Sequence, residues 1–201
     1  RVLVSVDYRL APECPYPSGL TDLRNVIRGL FASLERLGVR HVRQLAVAGD
    51  SGGGAIIASA VHDLADQESI EIGRQLLIYP SLDYTMSSAS MDSLGTGYLL
   101  ERNRIAWLFR QYFQHDENTR QASPLFMGLP NAYPKTMVVT AGYCPLRDEG
   151  LAYVERLDGS GFEVENLHFP NMIHAFLNLE DLVPEECATF YHKVGAFLQG
   201  A

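Results

Sequence analysis

Between residues 45 and 65 the chain changes pattern abruptly. Leu45-Ala46-Val47-Ala48 is a short apolar run of strand length, and residues 55–65 are a run of small and apolar residues that reads as a helix. Between them stands Gly49-Asp50-Ser51-Gly52-Gly53-Gly54. Glycines in such a turn let the end of a strand and the start of a helix come closer than any side chain would permit. A strand that passes this tightly into a helix commits the chain to an architecture in which strands and helices alternate in layers.

The rest of the sequence keeps that rhythm. Residues 2–6 read as a buried strand, and a turn-rich stretch then leads to a helix over 20–37. In that helix Leu20, Leu23, Ile27, Leu30, Phe31, Leu34 and Leu37 recur at helical spacing. Further strands are expected at 75–79, 136–140 and 162–169, and further helices at 147–157 and 184–198. The expected fold is therefore α/β, a mostly parallel sheet with helices on both faces. Residues 84–134 interrupt the alternation, and an insertion of that size between strands is commonly a lid. The expected organisation is a core of residues 1–83 and 135–201 with a cap insertion at 84–134. Trp107, Phe109, Tyr112 and Phe113 in that insertion are candidates for lining a pocket, although a stripe at helical spacing also serves as plain core.

Composition excludes some partners. With 47% hydrophobic and 20% charged residues the chain has the makeup of a globular protein, and its net charge of −8 opposes nucleic acid or an anionic membrane surface. No apolar run is long enough to span a bilayer. Cys14, Cys144 and Cys187 are odd in number and scattered, which is no disulfide framework and points to a reducing cytoplasm. A strand at 2–6 buried on both faces would need neighbours on both sides, so an N-terminal segment is expected upstream of it.

The turn at 49–53 fits G-x-S-x-G in the context that the chemistry requires. A serine between a strand and a helix is lifted above the sheet, and the first helical N–H groups lie beside it, where negative charge would develop. Ser51 is thus the candidate nucleophile and the Gly52 N–H a candidate oxyanion donor. The base follows the nucleophile along the chain in such arrangements. His41, His62, His115 and His192 lie in helices or polar connections, where a solvated surface role is expected, and His168 points from a strand. His174, just past the last strand, is placed to reach back to Ser51.

In these residues the sequence resembles the hormone-sensitive-lipase-like esterases, the bacterial family IV group of the α/β-hydrolase superfamily. The likeness is carried by Ser5-Val6-Asp7-Tyr8-Arg9-Leu10-Ala11-Pro12-Glu13, by Gly49-Asp50-Ser51-Gly52-Gly53-Gly54, by Pro145-Leu146-Arg147-Asp148-Glu149-Gly150 and by His174-Ala175-Phe176. It implies hydrolysis of small, short-acyl carboxylic esters through an acyl-enzyme on Ser51, with no metal and no cofactor. A homodimer is common in that family. Tyr8 and Arg9 are expected to be packing and ion-pair residues behind the site, and Asp50 to shape the turn.

Two departures stand out. The family's HGG motif, whose glycine N–H groups build most of the oxyanion hole, is absent. By the family's strand order, a further strand also lies between those matching 2–6 and 45–48. A segment of about 100 residues, on the same chain or another, is therefore expected to complete the fold. The second departure is at the acid. The family places an Asp immediately before Pro-Leu-Arg-Asp-Glu-Gly, and here that position is Cys144. A thiol is a poor substitute for a carboxylate that must orient and stabilise an imidazolium. Three readings follow: another carboxylate serves (Asp148, its neighbour Glu149, or Asp83); the esterase is impaired, by nature or by deliberate substitution; or Cys144 has an unrelated redox role. A hydrolase-fold ligand-binding protein that has lost its chemistry is the alternative to an esterase.

Overall fold

A computed structural model describes residues 2–67 and 71–199. Four parallel strands form one sheet: β1 (Leu45–Asp50), β2 (Ile72–Ile78), β3 (Lys135–Tyr143) and β4 (Val164–Ile173), side by side in chain order. Before them comes α1 (Ser18–Arg36); α2 (Gly52–Leu64) links β1 to β2, α6 (Arg147–Gly159) links β3 to β4, and α7 (Pro184–Gln199) closes the chain. Between β2 and β3 lie the short helices α3 (Ala89–Ser93), α4 (Arg102–Tyr112) and α5 (Thr119–Ala122).

The period of two along each strand sorts side chains between two cores. Val47, Leu77 and Val138 face a cluster with Leu20, Leu23 and Ile27 of α1, Ile56, Ile57 and Val61 of α2, and Tyr153 and Leu157 of α6. Their neighbours Leu76, Met137 and Val139 face the other side, with Phe190 and Phe197 of α7, Ile105 of α4 and Met91 of α3. The sheet thus carries helices on both faces, as the alternating sequence predicts. The periodic helices were legible because each buries one stripe: in α1 the buried residues include Leu20, Leu23, Ile27 and Leu34.

The expected strand at 2–6 is a correction. These residues join no ladder, and Val2, Leu3 and Val4 are exposed at 45%, 94% and 45%. β1 is the edge of the sheet, with Ala46, Ala48 and Asp50 exposed, and no described strand lies beyond it. An apolar run supplies strand propensity, but a strand exists only where a neighbour takes its hydrogen bonds.

Residues 84–134 hold four short helical pieces, counting a 3-10 turn at Pro124–Phe126, among the described residues. Phe109, Tyr112 and Phe113 pack edge-on or tilted against Tyr84, with ring centroids 4.9–6.1 Å apart, and Tyr16 joins them at 5.6 Å from Tyr112. The Tyr16 N–H also donates to the Tyr112 carbonyl at 2.7 Å. Three of the four aromatic candidates are therefore packed in a cluster. Trp107 is 42% exposed, with the Arg104 guanidinium 4.5 Å above its ring.

Candidate active site

The site is assembled where β1, β3 and β4 deliver their C-terminal ends. Ser51 follows β1 directly and takes φ 51°, ψ −117°, in a region of positive φ that a side chain disfavours. Close packing enforces it. A Cβ on Gly49 would lie 2.5 Å from the Gly53 backbone, and one on Gly54 would lie 2.8 Å from the Pro80 Cβ. The Ser51 N–H donates to the Ile78 carbonyl at 2.9 Å, and its own carbonyl accepts from Ser81 N–H at 3.2 Å, which ties the turn to the end of β2. Gly52 opens α2, is exposed, and has open space around its Cβ position. The first N–H groups of the helix have no partner within it.

His174 sits one residue past β4, 6% exposed. Its Nε2 is 3.1 Å from Ser51 Oγ, and its Nδ1 is 3.2 Å from Cys144 Sγ. Cys144 lies just past β3, is 1% exposed, and its sulfur accepts the Leu146 N–H at 3.4 Å. Ser51, His174 and Cys144 therefore stand in one line of contacts. A hydroxyl bonded to an imidazole in an exposed tight turn can attack a carbonyl with the ring as its base.

The charge state of this line departs from that of a carboxylate triad. Burial alone pushes His174 down to about 4, so the ring is neutral. Burial also pushes the Cys144 thiol up to about 12; the Leu146 N–H works against that shift, and nearby Glu149 adds to it. The thiol is therefore protonated and brings no negative charge to the imidazole.

None of the alternative carboxylates reaches His174. Asp148 accepts from Arg147 Nε and from Ser90 N–H, each at 2.8 Å. Asp83 is folded onto its own turn, accepting from Thr85 and Ser87 through both backbone and hydroxyl. Glu149 is 1% exposed and caps the same loop by accepting from Leu82 N–H at 2.6 Å and Asp83 N–H at 3.2 Å; burial pushes its carboxyl up to about 8.

Other expected roles divide. Arg9 forms a two-pronged ion pair with Asp22 at 2.8–3.1 Å, as the ion-pair reading has it. Tyr8 is half-buried, its hydroxyl 3.9 Å from the Cβ position of Gly53. His62 is a correction, because it is not a solvated surface residue. Its Nε2 meets Tyr153 Oη at 3.1 Å, its Nδ1 meets the Gly128 carbonyl at 3.0 Å, and burial pushes it down to about 4. His168 is exposed on β4 with Thr140 Oγ1 at 2.8 Å.

One site residue went unseen in the sequence. Tyr79, at φ 35° just past β2, stands edge-on to the His174 ring with centroids 4.9 Å apart. Its position before Pro80 was the only signal. Among the described residues no group of three His, Cys, Asp or Glu side chains is placed to hold a metal, and no helix is long and apolar enough to cross a membrane.

Known proteins share this arrangement of chain. Residues 1–178 match the alpha/beta hydrolase fold family. The sequence is 31% identical over 186 residues to the ethyl acetate hydrolase of Pseudomonas putida, covering 91% of this chain and 58% of that one. It is 35% identical over 188 residues to the carboxylesterase NlhH of Mycobacterium tuberculosis, covering 91% of this chain and 59% of that one. The structure of a hyperthermophilic esterase from the archaeon Pyrobaculum calidifontis superposes with a TM-score of 0.83 at 32% identity, over 96% of this chain and 64% of that one. The chain thus spans 58% and 59% of the length of these two curated relatives. The resemblance drawn from four sequence motifs is borne out, and the chain belongs to the alpha/beta hydrolase fold family, among the hormone-sensitive-lipase-like esterases.

Proposed function

We propose that the protein is a serine carboxylesterase acting on small, short-acyl esters, with Ser51 as nucleophile and His174 as base. The observation that carries this reading is the 3.1 Å contact between Ser51 Oγ and His174 Nε2 at a strained turn above the sheet. As Oγ attacks the ester carbonyl carbon, its proton passes to Nε2. The same proton then leaves with the alkoxide as the carbonyl–oxygen bond breaks. Water repeats the sequence on the acyl-enzyme and releases the acid. Gly52 N–H would share the oxyanion, and residues 84–134 would cap the acyl site.

The remaining oxyanion donors and the strand beside β1 would come from a segment outside residues 1–201, on the same or another polypeptide. The bare edge of β1 and the exposed Val2, Leu3 and Val4 support this. Three cysteines, all free, fit a cytoplasmic setting.

The test is a fluorophosphonate probe with p-nitrophenyl butyrate turnover, read beside Ser51→Ala. An adduct at Ser51 that the variant loses is the expected result. Cys144 specifically favours a second reading, a ligand-binding protein on a hydrolase scaffold. Retained ester-analogue binding with no adduct at Ser51 would select it.

A further inference from the structure

The hydrogen bonds around His174 determine which ring nitrogen holds the proton. Among the described residues Nδ1 has one partner, Cys144 Sγ, and Nε2 has one, Ser51 Oγ. A thiol can give one proton and accept weakly. The Leu146 N–H already donates to that sulfur, from the side of the loop. Among the described residues no acceptor other than Nδ1 stands within hydrogen-bond reach of Sγ, and the sulfur is buried at 1% exposure.

Two arrangements can be written. If Nδ1 carried the proton, it and the Leu146 N–H would both point at sulfur, and the buried S–H would have no acceptor. If the S–H points at Nδ1, the Leu146 N–H keeps the sulfur, Nε2–H donates to Ser51 Oγ, and the Ser51 hydroxyl turns to solvent, to which it is half-exposed. Only the second arrangement satisfies every buried donor.

We infer that Cys144 is a positioning residue that holds His174 in the Nε2–H form, so that in the resting site Ser51 accepts a hydrogen bond from the ring instead of donating one. This rests on the reading of Ser51 and His174 as nucleophile and base. In this form the base has no lone pair facing the hydroxyl. Each turnover first requires the thiol to release Nδ1 and the ring proton to move there from Nε2. A carboxylate would favour the opposite form, because it can only accept and so draws the proton to Nδ1. The weakness of Cys144 therefore lies in more than the missing negative charge: it also holds the ring in the wrong protonation pattern.

The experiment is two-bond 15N–1H NMR of the histidine ring in the full chain, with His174 assigned by the signal lost in His174→Asn. The expected result is Nε2–H in the wild type and Nδ1–H in Cys144→Asp, together with a rise in p-nitrophenyl butyrate turnover of about a hundredfold or more in that variant. Nδ1–H in the wild type overturns the inference, and so does Nε2–H in both proteins. Should Cys144→Asp fail to fold, the S–H infrared stretch of the wild type, assigned by its loss in Cys144→Ala, must lie below that of the other thiols because the thiol donates to Nδ1; an unshifted stretch also overturns the inference. Failure of the underlying function looks different: Ser51 stays unlabelled by fluorophosphonate in every variant, while the ring still reports its own tautomer.

Discussion

Two contacts meet on the His174 ring, and they are held by different means. On the Ser51 side the geometry is set by backbone: φ 51° at the serine, with Gly49 and Gly54 too close to their neighbours to carry a side chain. On the Cys144 side the backbone is equally well formed, with Cys144 N–H bonded to the Ala141 carbonyl at 3.2 Å and Arg147 N–H to the Cys144 carbonyl at 3.0 Å. The difference at that corner is a single side chain. Backbone can place a group within a few tenths of an ångström, but it cannot supply charge. A chain can therefore keep the shape of a triad after the chemistry at one corner has changed.

The largest effect is expected at the elbow. Gly54→Leu drives a side chain into Pro80, and we expect a loss of about 3 kcal/mol or more of stability, with loss of fluorophosphonate labelling, measured by denaturant melts and intact mass. Cys144→Asp acts on the other corner and should lower the barrier by roughly 3 kcal/mol, read as kcat for p-nitrophenyl butyrate. A variant no faster than wild type would show that the residue at position 144 does not limit turnover.

Acid sharpens the contrast further. Folded His174 and His62 both sit at about 4, below the value of 6.5 for a free ring. The unfolded chain therefore takes up protons that the folded chain refuses, and stability should fall as pH drops from about 6.5 towards 4. Thermal midpoints across that window check this. Cys144→Asp should reduce the loss, since a carboxylate raises its partner's proton affinity.

Glu149 gives the opposite slope. Its folded carboxyl is pushed up to about 8 from 4.5, so its contribution falls as pH rises through that interval. Glu149→Gln keeps an acceptor for the Leu82 and Asp83 N–H groups and removes the titration. Its melting temperature at pH 8 should match or exceed wild type, with the gap closing towards pH 5. The smallest effect is expected from Asp148→Asn, which should leave turnover within about twofold, because that carboxylate is engaged with Arg147 and Ser90. A collapse in kcat would instead make Asp148 the acid.

The elbow was legible in the sequence because steric demands are recorded there as glycine, at Gly49 and Gly54. The placing of Cys144 beside His174 was legible because motif order fixes that position whatever residue fills it. Three other features were not. Residues 2–6 carry strand propensity, and pairing depends on a neighbour that residue pattern does not report. His62 sits in a helix whose small residues bring it against Tyr153, a contact 91 residues away. Glu149 reads in the sequence as one of three alternative carboxylates for the site, and only the folded loop at Leu82 and Asp83 shows where it is buried.

The His62–Tyr153 bond has a mechanical consequence. α2 starts immediately after Ser51, and α6 starts three residues after Cys144. A bond between the two helices, one of them anchored through Tyr153 to Tyr133 as well, acts as a tie-bar between two levers whose tips carry Ser51 and Cys144. The span from Ser51 to Cys144 is thus gauged in part from well outside the site, and a substitution at His62 would be felt at the tips as a change in alignment.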